Sequence, residues 1–537
     1  MRDLHTTVSP EHGDGEGAKQ QVARAAGTIG LATLLSRVFG FVRDMVIAGF
    51  FGAGLATDAF FVAFRIPNLL RRLFAEGSLT IAFVPIFTEY LEKRTRRDAL
   101  DLANVAVTLL SIILVAVSLL GVLCSPIIVT IIAPGFSKIP DQYHLTVFLT
   151  RLMFPYIFFI SLVALCMGIL NSLRHFAAPA LAPVALNISM ILAALGLRTC
   201  FDEPIIALAV GVMVGGVIQL AMQFPFLVRV GVRLRPDFRF SNAGVRRIGL
   251  LMLPAVFGAA VYQINIFVST LLASLLPGGS VSYLYYADRI VQLPLGIFAI
   301  AVGTASLPSL SRHATAGDID EMKKTISFSL SLILFVTIPA MVALIVLRVP
   351  IISVLFQRGA FDASATMLTA QALLFYALGL WAFSVIRVIV SAFYALQDTR
   401  TPVKVAVVAL VVNIILGIML MVPLRHGGLA LATSIASAVN AIMLGVFLRR
   451  RIGTLLDRDF YASLVKATLS ACVMGIVIFM MHQLTGFSTE QPFMDRVLLL
   501  GIEIVTGLVV FAVISFILKS REMVEMAGIL KRRFQRR

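Results

Sequence analysis

Fourteen apolar runs constrain this chain more than any other feature. They fall at residues 27–50, 55–88, 101–133, 143–170, 179–198, 204–228, 248–275, 281–311, 325–348, 364–394, 402–423, 428–448, 461–483 and 495–518. About 20 apolar residues cross a bilayer as a helix, and each run reaches that length. A mean hydropathy of +0.96 over 537 residues agrees, and it excludes an ordinary soluble domain. The expected class is an all-α polytopic membrane protein with fourteen transmembrane helices. The run 101–133 is long enough to include an interfacial end near Pro134. Pro67 and Pro294 remove backbone donors inside two long runs and predict bends or breaks there. Residues 1–26 are polar, carry acids and lack the pattern of a cleaved signal, so a disordered cytoplasmic leader is expected.

The net charge of +17 would suggest nucleic acid in a soluble protein. Here the excess of Lys and Arg in cytoplasmic loops accounts for it, and no nucleic-acid partner is expected. With the N-terminus inside, the inside segments carry 30 basic residues and the outside loops 6. That asymmetry predicts cytoplasmic N- and C-termini. The nine remaining of the 45 lie within or beside the spans: Arg37, Arg43, Arg65, Arg71, Arg72, Arg151, Arg289, Arg387 and Lys466. Lys466 and Arg387 can snorkel to the interface.

The two halves resemble each other at an offset of 223–224 residues. AFRIPNLLRRLF (63–74) matches ADRIVQLPLGIF (287–298), Pro85 falls on Pro308, and Pro179 falls on Pro402. This offset covers six helices, an even number, so the halves insert the same way up. Two six-helix lobes in parallel pseudo-repeat, with two extra C-terminal helices, form a transporter-like architecture.

Residues 36–85 concentrate the charge. Arg37, Arg43, Arg65, Arg71 and Arg72 fall in about 36 residues, and each charge at a bilayer centre costs about 2.5–3.5 kcal/mol on insertion scales. Asp58, Arg65 and Arg72 are seven apart and share a helix face, with Glu76 one turn on. Asp44 follows Arg43 and can pair across an interface, and Asp288 precedes Arg289. Guanidinium forks suit phosphate, so these groups predict an anion site. Internal salt bridges that hold helices together are the competing reading.

Other chemistry is poorly represented. Cys124, Cys166, Cys200 and Cys472 are scattered, with no CxxC pair, so no metal is expected. There is no P-loop and no HExxH, and no cofactor or enzyme activity is expected. His144, His313, His426 and His482 fall in loops or at helix ends and are expected to be exposed. The segments FGAG (51–54) and PGGS (277–280) read as turns that open helices, and Asn187 and Asn413 as interhelical hydrogen-bonding groups.

SRVFGFVRD, FGAGLATDAFFVAFRIPNLLRRLFAEGSLTIAFVPIF, APGF, FPYIFFISLVALCMGILNS, YYADRI, GTASLPSLS and QDTRTPVK together resemble the MurJ (MviN) family across nearly the whole chain after residue 25. These are lipid II flippases of bacterial cell-wall synthesis, within the multidrug/oligosaccharidyl-lipid/polysaccharide exporter superfamily. The resemblance implies a lipid II flippase of the bacterial cytoplasmic (inner) membrane that works by alternating access. It implies lobes at 27–230 and 245–450, a lipid-tail groove from helices 13 and 14 at 458–520, and a basic cytoplasmic tail at 521–537. It places functional arginines at Arg37, Arg43, Arg71 and Arg289 and a functional acid at Asp58, and it favours Arg71 where the helical stripe favours Arg72. Arg65 and Arg72 complete the expected substrate set, with Glu76, Asp44, Ser36 and Ser282 at the gate. Some members hold sodium with carboxylates on helices 7 and 11. Here residues 249–275 and 402–423 offer only neutral groups such as Gln263, Asn265 and Asn413, so protons or the membrane potential are the expected drive. The expected partners are lipid II, membrane phospholipids and a cell-wall synthesis complex, with the chain itself a monomer. The alternatives are an exporter of another polyprenyl-pyrophosphate glycan or of drugs, and a non-transporting scaffold or enzyme on the same lipid.

Overall fold

The computed structural model describes residues 14–70 and 79–524, and every regular element among them is helical. Among the described residues, ten helical segments are long and apolar enough to cross a membrane. An eleventh is added if Ala363–Ala377 and Leu380–Ala395, bent by 42° at their junction, form one span. Three expected runs are not among these. Residues 27–50 lie in the helix Asp14–Phe51, residues 55–88 are interrupted by positions outside the description, and 248–275 contributes the shorter apolar stretch Gln263–Ser274.

Proline and glycine shape the breaks. At Pro294 the helix Ser280–Pro294 gives way to one π-helical turn, Leu295–Ala299, before Ile300–Ala316 resumes. A missing N–H and a ring that crowds the preceding turn favour such a local rearrangement. The run 101–133 divides into Arg96–Leu123 and Ser125–Ile132, followed by the short turn Pro134–Lys138. Among the described residues, three helices begin with an aspartate that accepts a backbone N–H three residues on: Asp318 from Glu321 at 3.1 Å, Asp362 from Ala365 at 2.7 Å and Asp457 from Phe460 at 2.8 Å.

The chain forms two compact units. One draws on residues up to Arg43, Pro67–Val122 and Leu152–Val256. Its core includes Phe83, Phe87, Leu102, Leu165 and Ile169. Within it, Ile206–Ala221 lies close on Ala177–Gly196 through Gly211 and Gly215. A Cβ at Gly211 would stand 3.0 Å from the Met190 Cα, and one at Gly215 3.3 Å from the Leu186 Cα. Small residues four apart permit this backbone approach. Outside the spans, Arg239 joins Asp237 at 2.5 Å and Asp101 at 3.3 Å, and its hydrogen bonds hold the Asp237 carboxyl below its usual range.

The other unit draws on Asp44–Ile66, Leu123–Arg151 and the chain from Phe257 onward. Its core includes Ile326, Ile333, Val388, Phe393, Leu448, Ala471 and Ile478. It carries the helices Arg458–Thr485 and Phe493–Ile517.

Candidate substrate site

The helix Asp14–Phe51 carries Ser36, Arg37, Arg43 and Asp44. Arg43 is buried, and its Nη1 donates to Asn187 Oδ1 at 3.0 Å. The Asn187 amide in turn donates from Nδ2 to the Ser36 carbonyl at 3.2 Å. Gly40 lies between these contacts, where a Cβ would come within 3.5 Å of Asn187 Nδ2. The asparagine thus positions one arginine against the backbone of its own helix. Arg37 is exposed.

Asp44, the next residue, belongs to a second set. It is 1% exposed, and its Oδ2 lies 3.2 Å from Arg289 Nε. The Tyr285 hydroxyl donates to Asp44 Oδ1 at 3.1 Å and accepts from Arg289 Nη2 at 2.8 Å. Tyr285 and Arg289 are four apart on Ser280–Pro294, so they share a face. The tyrosine ring stacks on Phe61 at 3.8 Å, and the guanidinium carbon lies 4.8 Å from the tyrosine centroid. Arg289 Nε makes no aligned hydrogen bond, and about a third of the side chain, 35%, remains exposed. Arg289 thus meets the Asp44 carboxylate and the Tyr285 hydroxyl while part of its side chain stays open, and a guanidinium is the group whose planar fork suits an anion.

Asp58 has a different setting. Its Oδ2 accepts the Gly279 N–H at 2.7 Å, and its Oδ1 accepts the Ser282 N–H at 2.8 Å and the Ser282 hydroxyl at 2.5 Å. Gly279 has φ +91°, a conformation glycine adopts without a Cβ penalty. The carboxylate serves as an N-cap supplied by another helix, where the exposed N–H groups and the helix dipole favour a negative charge. The PGGS segment is the expected turn, and it cradles the protein's own carboxylate. Arg65 donates to the Thr270 hydroxyl, and Gln292 to Asp288.

The sequence-predicted residues thus fall into separate sets: Arg43 with Asn187 and Ser36, Asp44 with Arg289, Asp58 with Ser282, and Arg65 with Thr270. Arg71, Arg72 and Glu76 lie outside the described residues. Tyr285 and Thr270 escaped the sequence reading. The four-residue spacing of Tyr285 from Arg289 in YYADRI was the available signal for the first, and Thr270 had none.

Three histidines depart from expectation, and His313 is half-buried with its Nε2 3.3 Å from the Ser309 hydroxyl. His426 is buried, its Nε2 2.8 Å from the Leu368 carbonyl. His482 lies in the last turn of Arg458–Thr485 and pairs with Glu503, Nδ1 to Oε1 at 3.0 Å. Position at a helix end did not mean exposure, because neighbouring helices cover those ends. Asn413 Nδ2 donates to Asn265 Oδ1 at 2.7 Å, and Asn413 Oδ1 accepts from the Thr433 hydroxyl at 3.4 Å, so these neutral groups are joined in one hydrogen-bonded set.

Comparison with known proteins settles the family. The model for lipid II flippase MurJ matches residues 47–498. The chain belongs to the MurJ lipid II flippase family. It is 37% identical over 471 residues to a probable lipid II flippase MurJ of Buchnera aphidicola subsp. Acyrthosiphon pisum, covering 88% of this chain and 92% of that protein. It is 41% identical over 419 residues to the Vibrio cholerae protein described in the same words, covering 77% and 80%. A solved structure of lipid II flippase MurJ in an inward closed conformation matches with a TM-score of 0.76 and 29% identity, covering 91% of this chain and 98% of that one. An inward-facing MATE family transporter of the MOP superfamily, 17% identical, shares the fold at a TM-score of 0.64, covering 78% and 95%. These family members are named as flippases, that is transporters rather than enzymes.

Proposed function

We propose that this protein moves lipid II, the undecaprenyl-pyrophosphate-linked disaccharide-pentapeptide, from the inner to the outer leaflet of the bacterial cytoplasmic membrane. The observation that carries this reading is membership of the flippase family over residues 47–498. Alternating access fits a relative solved in an inward closed conformation.

In this reading the chain spans the membrane fourteen times with both termini cytoplasmic. Residues 27–230 and 245–450 form the two lobes, 458–520 form the lipid-tail groove, and residues 1–26 and 521–537 are a leader and a basic tail. Arg37, Arg43, Arg71 and Arg289 bind the pyrophosphate in a central cavity, with Arg65, Arg72 and Asp58 contributing. Ser36, Asp44, Glu76 and Ser282 act at the gate. The protein works as a monomer beside the cell-wall synthesis machinery. The geometry of Arg289 supports its part in this assignment. A pyrophosphate oxygen competes with Asp44 for the guanidinium, while Tyr285 keeps the fork in place.

The test is lipid II binding followed by native mass spectrometry. Arg37→Ala, Arg43→Ala and Arg289→Ala are compared with wild type, and an uncharged polyprenol serves as control. Loss of a charge-assisted contact worth about 1.5–3 kcal/mol lowers affinity roughly tenfold or more. Wild-type affinity in all three folded variants would remove the arginines from the substrate site.

A further inference from the structure

We propose that His482 and Glu503 form a proton-binding site, and that a proton taken up there drives the transport cycle. The inference rests on the flippase reading and supplies its coupling ion. Glu503 lies within the apolar helix Phe493–Ile517, and its carboxylate is 0% exposed. Its Oε1 meets His482 Nδ1 at 3.0 Å, and its Oε2 is buried without a hydrogen-bond partner among the described residues. The two helices that carry the pair also bury apolar side chains against each other. Met474, Ile478 and Leu500 are buried in the same cluster, and a Cβ at Gly507 would stand 3.2 Å from Ile478 Cγ1. A carboxylate with a bare oxygen is costly in such a place, so its retention there calls for a role.

The pair has the parts that proton binding needs. With one proton shared between Nδ1 and Oε1 it is net neutral, and a second proton makes it cationic. The histidine side chain is 21% exposed while the glutamate is fully buried. A proton from water therefore reaches the imidazole first and passes from Nδ1 to Oε1. The packed helices place few other charges nearby. Ile319–Val346 packs its far end there, with Val342 against Gly475, and its ionisable groups Asp320, Glu321, Lys323 and Lys324 sit at the opposite end. On Arg348–Phe356, Arg348 donates to the Ile345 carbonyl. On the glutamate's own helix, Asp495 lies in the first turn, and Arg496 donates to Ser353 at 2.7 Å, two turns before Glu503. The helix Arg458–Thr485 carries its other ionisable groups, Arg458, Asp459, Tyr461, Lys466 and Cys472, at least ten residues from His482. A change in net charge on the pair is therefore poorly offset locally, and protonation bears directly on how the two helices pack and admit water.

The experiment uses full-length protein in liposomes containing lipid II, with and without an imposed pH gradient, acid outside. Translocation at equal pH tests the flippase reading. If no lipid II moves under any condition, that reading fails. If one proton accompanies each lipid, a gradient of one unit shifts the steady-state outer-to-inner ratio about tenfold in wild type. The same gradient leaves Glu503→Gln and His482→Gln unshifted. Wild-type translocation that ignores the gradient, or a Glu503→Gln variant that responds as wild type does, overturns the inference and leaves the flippase reading standing. Infrared spectroscopy of the folded wild type gives a second readout. A protonated-carboxyl band that titrates, and that is missing in Glu503→Gln, is expected. A wild-type spectrum with no titrating carboxyl band overturns the inference even where a variant fails to fold.

Discussion

Asp58 caps a helix that begins more than two hundred residues later, its Oδ1 accepting both the N–H and the hydroxyl of Ser282. Asp58→Ala leaves the Gly279 and Ser282 donors without their acceptor. A stability loss of about 1–2 kcal/mol is expected, seen as a lower thermal midpoint in detergent. Asp58→Asn keeps one acceptor and falls between. An unchanged midpoint in Asp58→Ala would show that the cap contributes nothing.

Arg289 and its tyrosine separate charge from positioning. Arg289→Lys keeps the charge but loses the planar fork, so lipid II affinity drops roughly tenfold. Tyr285→Phe keeps the stack on Phe61 and removes only the hydroxyl between Asp44 and Arg289. A loss of about 0.5–1.5 kcal/mol, or two- to tenfold, is expected for it. Equal affinities in wild type and both variants would take this set out of substrate binding.

Arg43 and Asn187 act as one unit, and a double-mutant cycle measures that. Arg43→Ala and Asn187→Ala should be non-additive in stability by about 0.5–3 kcal/mol. Strict additivity would mean that the 3.0 Å contact carries no energy.

Gly215→Leu pushes a side chain into the Leu186 backbone and separates two closely packed helices. Overpacking of this kind costs about 1–3 kcal/mol. Gly249→Ala, where a Cβ meets nothing within 4 Å, is the control. A thermal shift common to both would discount the packing argument.

Asp398 sets an acid limit outside the spans. It accepts the Thr401 N–H at 3.0 Å and the Arg400 N–H at 3.1 Å, and it pairs with Arg451. The Thr401 N–H and hydroxyl together with Arg451 hold its carboxyl below the usual range. A lowered folded-state value means stability that is present above the unfolded aspartate value, about 3.9, and lost as pH falls through the folded one. Thermal unfolding measured from pH 6 to pH 3 should show that loss in wild type and a flatter profile in Asp398→Asn.

The all-helical class and ten or eleven of the expected spans among the described residues were legible because apolar length is a one-dimensional signal, readable without knowing what packs on what. The arginines were legible for the same reason, since a charge inside an apolar run stands out. Their partners were not. Asn187 and Thr270 are small polar groups of a kind found throughout such helices, and only packing brings them to Arg43 and Arg65. His482 illustrates the limit most clearly. Its place at a helix end suggested water, whereas the turn that follows lets Phe493–Ile517 bring Glu503 to it. The fold class needed only the hydropathy of single runs. The site needed the pairing of residues far apart in the chain.

The cap on the Ser280–Pro294 helix has a consequence for biogenesis. Asp58 leaves the ribosome 221 residues before Gly279, the first of its donors. At about 5–20 residues per second, roughly 10–45 s pass before that donor exists. Through that interval the nascent chain carries an acid whose folded-state donors have not been made. The cap on this helix therefore cannot form until the second half of the chain has been made.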